Sequence, residues 1–451
     1  MSATATTPTP AGATTSSNRH WGDRIVGLEG LRGLAAMAVL AYHVAHVLTR
    51  DVEDETMPLL VFLMHQGLSL FFVLSGFLLF WPFATRIIER RELPSLRRYT
   101  ANRFLRIWPA YVVVFLIVNF GLRMSFLSQG EFGQLPWWKT LVDLTLLHSY
   151  LPGTLRTGLE VSWTLTVELT FYLVLPFLAM LGRRVAARTS GWIGALVPVG
   201  VMFVAGVAGK IWQHAVGRTS GLSGGDLSWS DNWFSVVSRS LLLHADLFAF
   251  GMAAALLYIA VRRGSATPVA VSALRGALMV IIGAAFVVAW IGSSPEFQDT
   301  FASIGFTGVL LLMVLPAHVD RLGWIARFCD WAPIRNLGVI SFSVYLWHMP
   351  VIRIMQDILD PGHGGRALYA WYLVVTVTIT LVLATATYWL VEKQALRFKP
   401  QGKPSRGGGP AGLGATAPGD DVATGSPSEP SEEARGASRA TGASAGGRPG
   451  A

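Results

Sequence analysis

A chain of 451 residues with 14% charged and 52% hydrophobic side chains, and a mean hydropathy of +0.47, is too apolar for a soluble domain, where about a quarter of residues are charged. Its formal charge of +9 does not require a nucleic-acid partner, because the basic residues cluster in the short segments between apolar stretches and in the tails. The one cysteine, Cys329, excludes an internal disulfide and gives no sign of an oxidising compartment.

In chain order, residues 1–24 read as a disordered tail rich in Thr, Ala and Pro. They lack the basic start and apolar core of a cleaved signal peptide, so the first span is expected to do the targeting. Ten membrane spans follow, at about 33–48, 59–81, 107–123, 163–181, 191–208, 240–260, 276–293, 301–316, 336–355 and 369–391. The fold expected is therefore an all-α integral membrane protein with residues 25–398 as the membrane domain. Residues 399–451, rich in Gly, Ala, Ser and Pro, read as a second disordered tail. With both termini cytoplasmic, 27 of the 36 Lys and Arg residues fall on the inner side, as the positive-inside rule requires.

Within the first span Arg32 and His43 are eleven residues apart and share a helix face. At 1.5 Å per residue the imidazole lies about 16 Å beyond the guanidinium, near mid-bilayer. Ionisable side chains are costly inside a span, so two on one face mark a polar path through the protein. His46 shares that face and competes with His43. Ser75, in FFVLSGFLLF, falls near the cytoplasmic side and far from the histidines by the same counting.

The loop before span three ends RRYTANRFLRIWPAY, and Arg103 and Arg106 share a face at the cytoplasmic entrance. Two convergent guanidiniums suit a phosphate-bearing ligand, although topology anchoring is the plainer role for juxtamembrane arginines. Glu168 lies about 9 Å inside span four, and His348 about 18 Å from the inner end of span nine. His43, Glu168 and His348 are thus expected in one depth layer, able to orient and activate a hydroxyl. Taken alone, each histidine reads first as a satisfied core residue bonded to a neighbouring helix. His65, His148, His244 and Asp246 fall near the outer side and suit an acceptor entrance. Trp137, Trp138, Trp212, Trp229 and Trp233, on the outer loops, could stack on sugars or serve as interfacial anchors. Cys329 reads as structural. No clustered ligands argue for a metal.

The segments GLEGLRGLAAMAVLAYH, FFVLSGFLL, RFLRIWPAY, SWTLTVELTFY and SFSVYLWH, in this order and spacing, resemble the acyltransferase 3 family of integral membrane acyltransferases across about residues 25–398. The resemblance implies transfer of an acyl group, often acetyl, from acyl-CoA to a hydroxyl of a sugar, cell-surface glycan, lipid or secondary metabolite. The family's Arg and His separated by ten residues match Arg32 and His43, which favours His43 over His46. Its paired arginines match Arg103 and Arg106, and its Trp-rich acidic motif matches Glu168. Many relatives carry an additional extracellular esterase-like domain, which is not expected here.

Residues and resemblance together point to catalytic His43, Glu168 and His348 and to donor binding at Arg32, Arg103 and Arg106, with acyl-CoA as co-substrate and the lipid bilayer as surroundings. Direct transfer is favoured by the lack of a nucleophile at the depth of the histidines. A proton-coupled transporter using His43 and Glu168 is the alternative, and a membrane scaffold a third.

Overall fold

The computed structural model describes residues 25–49, 52, 57–128, 131–220, 229–264, 267–315, 323–359 and 365–399. The expectations of disordered tails concern segments that, apart from Lys399, lie outside them. The chain is an all-α multi-pass membrane protein. Its helices are α1 (Leu28–Leu48), α2 (Pro58–His65), α3 (Gly67–Ile88), α4 (Leu96–Leu116, prolonged by a π-turn to Leu122), α5 (Trp137–Leu144), α6 (Trp163–Arg188) and α7 (Gly191–Ser220). They continue with α8 (Trp233–Ser238), α9 (Leu241–Arg262), α10 (Pro268–Val287), α11 (Pro295–Val314), α12 (Trp324–Cys329), α13 (Ala332–Val339), α14 (Ser341–Ile358), α15 (Gly365–Thr387) and α16 (Lys393–Leu396). A short antiparallel hairpin, β1 (Ser125–Ser128) and β2 (Glu131–Gly133), follows α4.

Among the described residues nine helical stretches are long and apolar enough to cross a membrane, and the bent pair α13–α14 supplies a tenth. Each coincides with one expected span. The ninth differs from expectation in being broken by 73°. The break sits at Ile340. Gly338 backs onto the Glu29 backbone of α1, where a Cβ would collide, and the Ser341 hydroxyl donates to the Gly338 carbonyl at 2.8 Å. A freed carbonyl inside a membrane protein needs such an internal partner.

The core is built by α1, α3 and α9, whose apolar windows are more than half buried, while α10 and α15 present most of their surface to lipid. Where α3 and α9 cross, Gly76 meets the Phe248 carbonyl and Gly251 meets the Val73 carbonyl. Only residues without a side chain allow that approach.

A cap of loop and short helix, residues 123–128 and 131–162, covers the start of α6. Tyr111 donates to the Asp143 carbonyl at 2.9 Å, Thr157 donates to Asp143 Oδ2 at 2.8 Å, and Arg353 of α14 holds Glu160 through two bonds of 2.8 and 2.9 Å. His148 is wholly buried, with Nε2 2.9 Å from the Ser162 hydroxyl. That hydroxyl gives its one proton to the Leu159 carbonyl at 2.6 Å, so His148 Nε2 donates and Nδ1 turns a lone pair toward Asp143 Oδ1, 3.8 Å away. At that distance the two atoms make no hydrogen bond. Burial pushes Asp143 up to about 8, with the Thr157 hydroxyl and Lys139 opposing, and pushes His148 down to about 3.

These shifts give the cap a pH dependence. Asp143 is raised above its unfolded value of about 3.9, so its contribution is complete below about pH 4 and is lost as pH rises to about 8. His148 is depressed, so its contribution is present above about pH 6.5 and is lost as pH falls toward 3. In thermal melts of the solubilised protein, Asp143→Asn should therefore gain on the parent by several degrees between pH 5 and 8.5. A gap that stays constant with pH would show that Asp143 is ionised in the cap.

Candidate functional site

A cavity opens between α1, α3, α6 and α14. Arg32, Ser75 and Glu168 line its polar part, Phe71 and Phe72 an apolar wall, and Tyr345 its far side. Glu168 Oε1 accepts from the Ser75 hydroxyl at 2.8 Å and also from the Tyr172 hydroxyl one turn along α6. An oxygen receiving two hydroxyls acts as acceptor only. Arg32, Arg103 and Arg106 gather around this group within electrostatic range of one another and of Glu168 or Tyr172. The Arg103 guanidinium carbon lies 6.0 Å from the Tyr99 ring centre and 5.9 Å from that of Tyr172. Its Nε is buried without a hydrogen-bond partner. The three arginines thus converge from two helices, α1 and α4, although 71 residues separate Arg32 from Arg103.

Beyond Tyr345 lies the second half of the site. His43 Nδ1 is 2.8 Å from the Val39 carbonyl, and His348 Nδ1 is 2.6 Å from the Tyr345 carbonyl. A carbonyl can only accept, so both Nδ1 atoms carry hydrogen and both Nε2 atoms present lone pairs. The two rings are 5.0 Å apart, and His348 Nε2 is buried with no partner. Each fixed imidazole lone pair can accept from a hydroxyl brought against it. Tyr42 borders the pair, with His46 and His65 against its ring on the exposed side.

The structure brings His43 and His348 together but puts Glu168 with the arginines. The link between the halves is Tyr345: its ring lies 5.3 Å from that of His348, and its hydroxyl is 2.5 Å from that of Thr164, one turn before Glu168. Counting along α6 misplaces Glu168 because α6 starts beneath the buried cap, not at a water interface. Ser75, expected near the cytoplasmic side and away from the histidines, is a direct partner of Glu168. His148 and Asp246 line no entrance. His148 is locked in the cap, while Asp246 is buried with Lys210 at 2.8 Å and Thr300 at 2.6 Å. His244 Nδ1 is tied to the Ser240 carbonyl at 2.9 Å, and its ring packs against Phe72 and Trp163. Trp229 is covered by the Arg239 and Arg156 guanidiniums at 3.7 and 4.9 Å, whereas Trp137 and Trp233 are 75% and 64% exposed, as interfacial anchors are.

Tyr172, Tyr345, Ser343 and Glu392 escaped the sequence analysis. Tyr172 and Tyr345 had a signal, since they lie four and three residues from Glu168 and His348 on the same helix faces. Glu392, a buried acid receiving the Ser343 hydroxyl, stands just past the expected end of the last span. Among the described residues no group of three or more His, Cys, Asp or Glu could hold a metal ion.

The family described as "Acyltransferase domain" matches residues 25–389. The chain is 29% identical over 354 residues to acyltransferase MdmB of Streptomyces mycarofaciens, covering 75% of this chain and 82% of that one. It is 23% identical over 341 residues to the peptidoglycan O-acetyltransferase OatA of Listeria monocytogenes, covering 72% of this chain and 50% of that one. Nodulation protein 10 of Rhizobium leguminosarum bv. viciae is 25% identical over 356 residues, with 74% and 82% covered. The chain thus spans about half the length of its peptidoglycan-modifying relative. No solved structure matches it significantly.

The packing of Glu168 yields a stability test. Ser75→Ala and Tyr172→Phe each remove one hydrogen bond to a charged acceptor, about 1.5 to 3 kcal/mol. Glu168→Ala also strips the clustered arginines of one of the two carboxylates beside them, so its thermal destabilisation should exceed that of either single change, about 3 to 5 kcal/mol. A melt of Glu168→Ala matching that of Ser75→Ala would mean that the carboxylate does not balance the arginines.

Proposed function

The chain belongs to the acyltransferase family, and on that premise we propose that it transfers an acyl group, acetyl in the simplest case, from cytosolic acyl-CoA to a hydroxyl of a sugar, glycan or secondary metabolite in a bacterial plasma membrane. What carries this reading is the pair His43 and His348, each with Nδ1 tied to a backbone carbonyl and Nε2 left as acceptor, next to Tyr345, which lines one cavity with Arg32 and Glu168.

In this scheme the donor's phosphates dock at Arg103 and Arg106 with help from Arg32, and charge-assisted bonds from guanidinium to phosphate supply the anchoring. The pantetheine arm runs along the cavity past Ser75 and Phe71 toward Tyr345. The acceptor reaches the histidine pair from the opposite end of the bundle, the side of His46 and His65. His43 Nε2 takes the hydroxyl proton as the oxygen attacks the thioester carbonyl carbon. The carbon–sulfur bond then breaks, and the proton passes from His43 to the departing thiolate, releasing coenzyme A as the thiol. His348 Nε2 accepts a second hydrogen bond from the acceptor molecule and fixes its approach. Glu168 is a positioning residue here, holding Tyr172 and, through its charge, the arginines. The relative OatA is named for acetylation of peptidoglycan, which supports a hydroxyl-bearing glycan as one acceptor class.

His43→Ala should lower acetyl-CoA turnover by about a hundredfold to ten-thousandfold while leaving membrane insertion and melting temperature near those of the parent. His46→Ala, on the exposed side, is the control. Turnover by purified His43→Ala at the parent rate would remove this imidazole from the chemistry.

A further inference from the structure

The arginine end of the bundle is closed by the last helical segment of the described chain. After α15 a π-turn, Tyr388–Glu392, leads into α16, and both pack against α4, which carries Arg103 and Arg106. The turn is tied in place because Glu392 is buried and receives the Ser343 hydroxyl at the first turn of α14. Its carboxylate is also within electrostatic range of Arg106 and Arg32. Three residues past α16, the Lys399 amide donates to the Leu396 carbonyl at 3.4 Å, turning the chain back. The Lys399 side chain is partly buried and stands close to Arg106 and Arg103.

Among the described residues, Arg32, Arg103, Arg106 and Lys399 are four cations gathered from three parts of the chain, with the carboxylates Glu168 and Glu392 beside them. Like charges crowded out of water are unfavourable unless an anion joins them. Arg103 Nε, buried with no partner, shows that donor capacity is unfilled.

We propose that Lys399 is a donor-binding residue, which closes the site over the phosphate groups of acyl-CoA beside Arg103 and Arg106 while Glu392 holds its segment in register. This rests on acyl-CoA being the donor. An anionic lipid headgroup offers the same phosphate chemistry, but the neighbours of Lys399 are the inward-gathered arginines. Burial, followed by the charges of Arg106 and Arg103, pulls Lys399 down to about 8. α4, which packs on this segment, also carries Arg97, Arg98 and Tyr99, and the segment itself carries Glu392, Lys393 and Arg397.

The test uses the full chain in nanodiscs of phosphatidylcholine, with and without phosphatidylglycerol, titrated with coenzyme A in a calorimeter between pH 7 and 9. Lys399→Gln should weaken coenzyme A binding about tenfold or more in both lipids, and Lys399→Arg should restore it. In the parent the bound phosphate holds the proton on Lys399, so affinity should fall as pH passes 8; Lys399→Arg should abolish that fall. Unchanged binding by Lys399→Gln together with weakened binding by Arg106→Gln overturns the role of Lys399 and leaves the donor reading standing. A Lys399→Gln effect confined to the response to phosphatidylglycerol assigns the lysine to lipid and overturns the proposal. If the parent binds no coenzyme A, the donor reading fails and the proposal with it. Should Lys399→Gln not fold, the parent's pH profile and Lys399→Arg decide the matter alone.

Discussion

A buried polar group in a membrane protein has no water to fall back on, and this constraint shapes the whole bundle. Most such groups here find protein partners: Lys210 with Asp246 and Thr300, His148 with Ser162, Glu160 with Arg353, and Glu392 with Ser343. The buried atoms left without a partner among the described residues include several hydroxyls and Asp143 Oδ1, His148 Nδ1 and Asp246 Oδ1, together with Arg103 Nε in the arginine cluster and His348 Nε2 in the imidazole pair. The cost of leaving such an atom unpaired, about 1 to 3 kcal/mol, is readily tolerated where a ligand completes the bond.

The fold holds these atoms open by keeping the backbone around them busy. α14 starts mid-bundle because Gly338 backs onto α1 and Ser341 satisfies the freed carbonyl, so its first turn meets Glu392 and its third faces His43. The cap performs the same service for α6 by burying its start, which sets Glu168 beside Arg32 rather than beside the histidines. Arg353, two bonds to Glu160, ties the cap to the helix that carries His348. The two halves of the site are thereby kept in register by elements outside it.

The ten spans are legible in the sequence because burial in lipid demands about twenty apolar residues, and a stretch of that length is visible without any partner. Arg32 and His43 are legible as a shared face because one helix carries both. The break at Ile340 is not, since it arises from contact between Gly338 and Glu29 across 309 residues of sequence. The level of Glu168 is not legible either: depth counting needs a common starting plane, and α6 starts below the cap. Glu392 lay in view as an acid at the end of the last span, but its meaning depends on Ser343, which only the packed structure places against it. Ser75 depends on the same packing, for residue counting sets it apart from the histidines but does not show its bond to Glu168.

The central claim is that one path joins the arginine cluster to the imidazole pair and holds the donor along its length. A cryo-electron microscopy structure of the full chain with a non-hydrolysable acyl-CoA thioether tests it directly. The phosphates should lie against Arg103 and Arg106, and the acyl carbon should sit beside Tyr345 with a hydroxyl-sized space left between His43 Nε2 and His348 Nε2. An analogue bound with its phosphates at the histidine end, or with its acyl carbon outside the cavity, would contradict the claim.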